Sequence, residues 1–272
     1  MEFREIIGEF LNQSNDNQAA IISDEQVQRT QTALWDATIG DTLSQLRSTL
    51  IHWTQALEYI GPARFPPTRY HRMWADRPKR LMPDGANLAV LFDGLSRRDR
   101  DTFNSFLNDS LGYTLSLKAG TGNAELTLTN AEGDSFNIAD LGFGLSQVLP
   151  VYLQAHLAHR NSRDGHKAPA SLFVVEQPEL HLHPQLQAKL ADLFVGMSVR
   201  SKHNTSPVPC FVETHSKALL ERVGELIDEK AISREDVQVL LFEKDGKDCT
   251  VRATGFDDEG ILLDWPVGFL SR

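Results

Sequence analysis

Cysteine is scarce here: Cys210 and Cys249 are the only two in 272 residues. Two thiols so far apart imply neither a CxxC zinc site nor a disulfide framework, so a reducing cytoplasm is the expected setting. No apolar run approaches the length of a membrane span, and the opening residues MEFREIIGEFLNQ do not read as a secretory leader. Basic residues are outnumbered, 27 against 37 acidic ones, for a net charge of −10. That balance argues against a broadly basic nucleic-acid surface. It leaves one local cluster, Arg64, Arg69, Arg72, Arg77, Lys79 and Arg80. A phosphate-binding loop of the form GxxxxGK[ST] is also missing. The glycine-rich candidates, GTG at 120–122 and GFG at 142–144, are not followed by Lys-Ser or Lys-Thr. Without such glycines and lysine, the sequence offers no backbone wrap and no cation for a triphosphate.

What is present is ordinary for a soluble globular chain, 41% hydrophobic and 24% charged, with length for one large domain or two small ones. Residues 1–58 read as a helical, polar, poorly patterned arm; Thr42 and Gln45 have capping-box spacing. The prolines and Gly61 of YIGPARFPPTRY (59–70) forbid regular structure, and 71–95 read as irregular. Residues 97–111 read as an amphipathic helix with Phe103, Phe106 and Leu107 on one face. Over 113–138 the period changes to alternation, broken by AGTGN and AEGD, which is a small antiparallel meander. A core-facing helix is expected over 146–159, where Leu149, Leu153 and Leu157 recur every fourth residue. Residues 161–168 read as a loop. A helix opening at Pro184, a strand over 208–212, a helix from Lys217 to about Lys230 and a buried strand over 237–242 complete the reading, with 249–254 pairing back through Asp245-Gly246.

The most informative stretch is 171–184, SLFVVEQPELHLHP. Leu172, Phe173, Val174 and Val175 run straight into Glu176, as in a parallel strand buried on both faces. A carboxylate at the C-terminal end of such a strand sits where α/β sheets place ligands. Glu176 is then either a Mg²⁺ holder, since that ion takes one or two carboxylates plus phosphate oxygens and water, or a cap for the following turn.

This pattern, hhhhEQPELHLHP, resembles the Walker B segment of ABC-superfamily ATPases, specifically their RecF-like and OLD-like prokaryotic branch. Two further segments fit in order: DLGFGLSQVLPV (140–151) resembles the signature motif, and VETHS (212–216) the switch-histidine segment. DWPVGFL (264–270) resembles the WPxGFF ending of a small C-terminal domain on some relatives. The resemblance covers about residues 57–270. It implies an α/β fold: a mixed, largely parallel sheet flanked by helices, with the antiparallel meander. The expected divisions are 1–58, 59–234 (the distal lobe of an ABC-type head) and 235–272.

The resemblance also implies roles. Glu176 would hold Mg²⁺ beside ATP. Gln177 stands where most relatives have the glutamate that activates water; an amide positions water but takes no proton. Slow hydrolysis, help from Glu179 or His215, or a nucleotide-binding switch are the open readings. Gly142, Gly144, Ser146 and Gln147 would reach the γ-phosphate of a facing subunit from the start of a helix, where free N–H groups favour anions; the alternative is an ordinary glycine turn. His181 and His183 fall on the interface loop, as hydrogen-bonding or packing groups; H-x-H could supply two zinc ligands, but no cysteine or third histidine lies nearby in sequence. His215 would sense the γ-phosphate, and Glu213 could orient its ring. Arg64 and Arg69 meet either a phosphate or a carboxylate.

The implied function is half of a composite ATP·Mg²⁺ site, completed by a P-loop-bearing lobe or partner subunit in a homo- or hetero-oligomer. It would act as an ATP-driven clamp in DNA repair or anti-phage defence, with a nuclease or other effector as partner, nucleic acid possible and no membrane. The first half of the head would be absent or carried on another polypeptide. The rival reading is a non-catalytic scaffold that keeps the fold as an interaction surface. A third, a metal-dependent nuclease, would rest on Asp257, Asp258 and Glu259.

Overall fold

The computed structural model describes residues 24–73, 78–120, 122–163, 172–200 and 207–265. The opening segment, Arg77, much of the 161–168 loop, and residues 266–270 of the C-terminal motif lie outside them. The chain divides into two units, residues 1–54 and 55–272. In the first, the described structure is helix α1 (Asp24–Ala56), whose described side chains are exposed through Thr54. Ile39, Leu43, Leu46, Leu50 and Trp53 follow a 4-3-4-3 spacing along it, a regularity absent from the sequence reading.

The second unit is built on a parallel sheet. Strand β1 (Leu57–Ile60) and β7 (Cys210–Glu213) flank β6 (Leu172–Glu176), in the order β1-β6-β7. All three run the same way, with Ile60 beside Val175 and Glu176 beside Glu213. Their C-terminal ends therefore share one edge. Phe173 and Val175 are fully buried on one face of β6, while Leu172, Val174 and Glu176 stay half-exposed. The expectation of a strand buried on both faces is corrected: the face carrying Phe173 and Val175 is packed, while the described residues cover the other only in part.

Helix α4 (Phe143–Arg163) covers the packed face, with Val148, Tyr152 and Ala155 in the core. It starts three residues earlier than its apolar period suggests. Pro150 lies inside it, against Gly85, where an added Cβ would come within 2.6 Å of the proline ring. Helix α5 (Pro184–Ser198) opens with proline at its first turn and buries Leu190, Leu193, Phe194 and Met197. Helix α6 (Lys217–Asp228) packs alongside it.

The meander is present. Strands β3 (Tyr113–Ala119), β4 (Asn123–Asn130) and β5 (Ser135–Asn137) are antiparallel, and β2 (His71–Arg72) adds to the other edge of β4. Helix α3 (Arg97–Leu111) matches its sequence pattern. Ser96 caps it by accepting from the Asp99 N–H at 3.1 Å, Phe103 and Leu107 are buried, and Gly112 closes it at φ 78°. Helix α2 (Leu88–Gly94) falls in the stretch read as irregular. Its five consecutive apolar residues have no helical period because all of them are buried.

Among the described residues, strand β8 (Val239–Asp245) pairs with β9 (Asp248–Thr254) alone, in a separate hairpin. It is not the buried strand expected over 237–242, since Phe242 is 66% exposed. The acidic run in the following turn is spent locally. Asp257 accepts from the N–H groups of Glu259 and Ile261, and Asp258 pairs with Arg234 at 3.0 Å.

Candidate functional site

The shared C-terminal edge of the parallel sheet gathers the sequence-selected residues. Glu176 ends β6 half-exposed and accepts a hydrogen bond from the Tyr59 hydroxyl at 2.8 Å. That bond, above all, raises the Tyr59 pKa, helped by desolvation and the charges of Glu176 and Glu213. Glu213, exposed and in register on β7, stands beside Glu176. Tyr59 and Glu213 therefore join the site: Tyr59 has no role from sequence, and Glu213 only that of a group that could orient the His215 ring. The signal was the strand register, which appears only once β1, β6 and β7 are aligned.

The chain then turns sharply. Gln177 has φ 43° and His181 φ 64°, both in the left-handed region that side chains with a Cβ disfavour. Gln177 N–H donates to the Glu213 carbonyl at 2.8 Å, extending the ladder by one residue. Arg64, 5% exposed, donates to the carbonyls of Glu176 at 2.9 Å and Gln177 at 3.2 Å. Burial lowers its pKa to about 10, a shift partly offset by the charge of Glu179. Its charge is thus spent within the fold rather than offered to a phosphate. Arg69, by contrast, pairs with Asp140 at 2.5 Å on the surface.

Glu179 is buried, and its Oε1 accepts the His215 backbone N–H at 2.7 Å. His215 is exposed on the loop between β7 and α6. Ser216 caps α6 by accepting from Leu219 N–H at 3.0 Å, and its hydroxyl donates to Gln187 at 2.6 Å. Gln187 also donates to the Leu182 carbonyl at 2.9 Å, which ties the 177–183 turn to the His215 loop. His183 is exposed and caps α5, its Nδ1 accepting from Gln185 N–H.

The signature-like segment lies against this turn. Gly142 takes φ 80° just before α4, while Gly144, Ser146 and Gln147 lie inside the first turns of the helix. A Cβ at Gly144 would meet the His181 carbonyl at 3.0 Å, and the Phe143 and His181 rings meet edge-on at 4.9 Å. Ser146 and Gln147 are buried. The Ser146 hydroxyl donates to the Phe143 carbonyl at 2.7 Å, and the Gln147 amide to Phe65 at 3.4 Å. The groups presented outward at this corner are the start of α4 with Gly142, Phe143 and the His181 turn.

Chemically, Glu176 and Glu213 are hard oxygen donors of the kind Mg²⁺ takes, and two carboxylates leave room for phosphate oxygens and water. Among the described residues no cluster of three or more His, Cys, Asp or Glu could hold a metal ion. A cation here would draw its remaining ligands from substrate, solvent or another lobe. No helix among the described residues is long and apolar enough to cross a membrane.

The carboxyl ends of parallel strands are where α/β proteins place ligands, and the carboxylates, the strained turn and the histidine loop stand there together. The family model described as "AAA ATPase domain" matches residues 69–220, more than half of the chain, and the chain belongs to that family. Among solved structures, an SMC ATPase described for ATP-driven dimerization and DNA-stimulated activation is 14% identical, covering 61% of this chain and 86% of that one, with a TM-score of 0.41. The Smc head of Pyrococcus furiosus bound to the C-terminal domain of ScpA is 13% identical over 58% of this chain and 34% of that one, at 0.38. The Smc head of Pyrococcus yayanosii is 12% identical over 65% and 29%, also at 0.38. No curated protein matches the chain.

Proposed function

We propose that this chain is the distal lobe of an ABC-type ATPase head of the RecF-like and OLD-like branch, forming a composite ATP·Mg²⁺ site with a P-loop-bearing lobe. The observation that carries this reading is the common sheet edge, where Glu176 and Glu213, the Gln177 turn and His215 stand together. Glu176, assisted by Glu213, holds Mg²⁺, which when bound neutralises charge on the phosphate oxygens. Gln177 orients water through its amide but takes no proton, so turnover is slow and the bound state long-lived. His215 reads the terminal phosphate from the loop before α6. The start of α4, with Gly142 and Gly144, faces the phosphates of the opposite lobe, and His183 lies along that interface. ATP then biases the assembly between closed and open forms. The lobe carrying the P-loop belongs to a partner subunit or to another part of a longer protein. A role in DNA repair or anti-phage defence, in the cytoplasm and with an effector such as a nuclease, follows by analogy with the branch.

The test is ATP turnover by the chain copurified with a P-loop-bearing partner. The complex hydrolyses ATP, the chain alone does not, and Glu176→Ala lowers kcat by about a hundredfold or more. Gln177→Glu raises it, since a carboxylate accepts the proton an amide refuses. Turnover indifferent to Glu176→Ala would sink the assignment. The scaffold reading is favoured by the same Gln177 and by the missing GxxxxGK[ST]; a complex that forms normally yet binds no ATP establishes it.

A further inference from the structure

The turn after β6 holds a shape that its residues do not favour on their own. Gln177 sits at φ 43°, a value glycine adopts freely and glutamine does not. Strain of this kind persists only where surrounding structure over-determines it. Here the surrounding structure can be named. The Arg64 fork grips two successive carbonyls, those of Glu176 and Gln177, at 2.9 and 3.2 Å, and thereby fixes the orientation of the peptide between them. The guanidinium is planar with its donors in a rigid fork, so it can hold both oxygens at once; a lysine ammonium is a single point of charge. Arg64 is 5% exposed and Glu179 is 8% exposed, so neither is open to a solvent-borne ligand. Glu179 holds the other strand's loop through the His215 N–H at 2.7 Å. Burial costs the Arg64 charge, and Glu179 returns part of that cost.

We propose that Arg64 and Glu179 are positioning residues that lock the Gln177 turn and the His215 backbone onto one frame. Neither touches substrate. Arg64 keeps Gln177 in its left-handed shape, and Glu179 keeps His215 at a fixed place relative to that turn. This deepens the nucleotide-site reading and rests on it for its purpose, though the clamp itself is tested without nucleotide. It also bears on the earlier readings of Glu179: the side chain is buried and its Oε1 is committed to a backbone N–H, which suits holding, while its buried Oε2 has no hydrogen-bond partner among the described residues.

Hydrogen exchange of the full chain, read by mass spectrometry, decides the matter. In Arg64→Met, exchange at 177–182 and at His215 rises about tenfold, while α3 and the β3–β4 pair keep their protection. Arg64→Lys does not restore the wild-type pattern. Adding Gln177→Gly to Arg64→Met does restore it over 178–182, because glycine holds the turn unaided; a residue that merely filled space would show no such rescue. Unchanged exchange in Arg64→Met, or a glycine that fails to rescue, overturns the proposal. Should Arg64→Met not fold, Glu179 gives the answer. Glu179→Gln keeps an acceptor and keeps the His215 amide protected, whereas Glu179→Ala loses that protection. A His215 amide still protected in Glu179→Ala overturns the proposal equally. A site that fails the turnover test leaves these exchange results standing, and a failed clamp leaves the effect of Glu176→Ala on turnover intact.

Discussion

A half-buried histidine sets one response of this molecule to acid. His71 on β2 has an Nε2 with no hydrogen-bond partner among the described residues, and burial pushes its pKa below the ordinary 6.5. The unfolded chain takes a proton near pH 6.5, and the folded chain takes it only lower. Between those points the unfolded state binds more protons, so this group removes stability as pH falls from 6.5 and contributes no loss above it. Urea midpoints between pH 7.5 and 5 are expected to fall less steeply in His71→Asn than in wild type. Gly224 makes a second prediction. A Cβ there would lie 2.1 Å from the Gly260 carbonyl oxygen, so backbone must move. Gly224→Ala should cost at least about 2 kcal/mol by denaturant unfolding, against the gain of about 1 kcal/mol that helix propensity alone predicts. In the sequence KALLERVGELID that glycine looks only like a weak helix residue. Glu176 was legible because an apolar run ends on it. Its partner Tyr59 lies 117 positions away, and Arg64 lies 112 positions from the carbonyl of Glu176 that it holds. No local pattern encodes contacts of that range.

Elements were legible where a local rule had no rival. Helix α3 carries its cap, its apolar face and its closing glycine in the sequence, and it forms where expected. Helix α2 was missed because complete burial erases the period that marks a helix. Strand β8 misled in the opposite sense: its VLLF core reads as a buried strand, yet it leaves Phe242 exposed in a two-stranded hairpin. The start of α4 was placed late because Gly142-Phe-Gly144 looks like a turn, whereas only Gly142 leaves helical geometry. The cap of α6 joins two elements at once. Ser216 is 4% exposed, accepts from Leu219 N–H and donates to Gln187 on α5. Ser216→Ala is expected to cost about 2 kcal/mol, more than an exposed cap, because it also takes the donor from the part-buried Gln187 acceptor. Thermal unfolding compares it with Ser96→Ala, whose cap on α3 is solvent-exposed and worth about 1 kcal/mol.

At the scale of the whole molecule, the core residues run from Ile60 to Leu262, all within the unit 55–272. A chain beginning at Gln55 should therefore unfold cooperatively, with a midpoint within a few degrees of the full-length protein, in calorimetry. Loss of cooperativity would mean that α1 contributes to the core. The parallel sheet, the meander and the β8–β9 pairing could be anticipated from pattern; that β8 would be an exposed hairpin strand rather than a buried one could not, because nothing in a strand's own sequence says which sheet it joins. The bare contact of Gly224 with Gly260 has a mechanical meaning. Two backbones meet there with no side chain to bend between them. Helix α6 begins two residues after His215 and lies against the 255–263 turn at this glycine contact. A Cβ at either glycine could be accommodated only by shifting the helix and the turn apart as whole backbones.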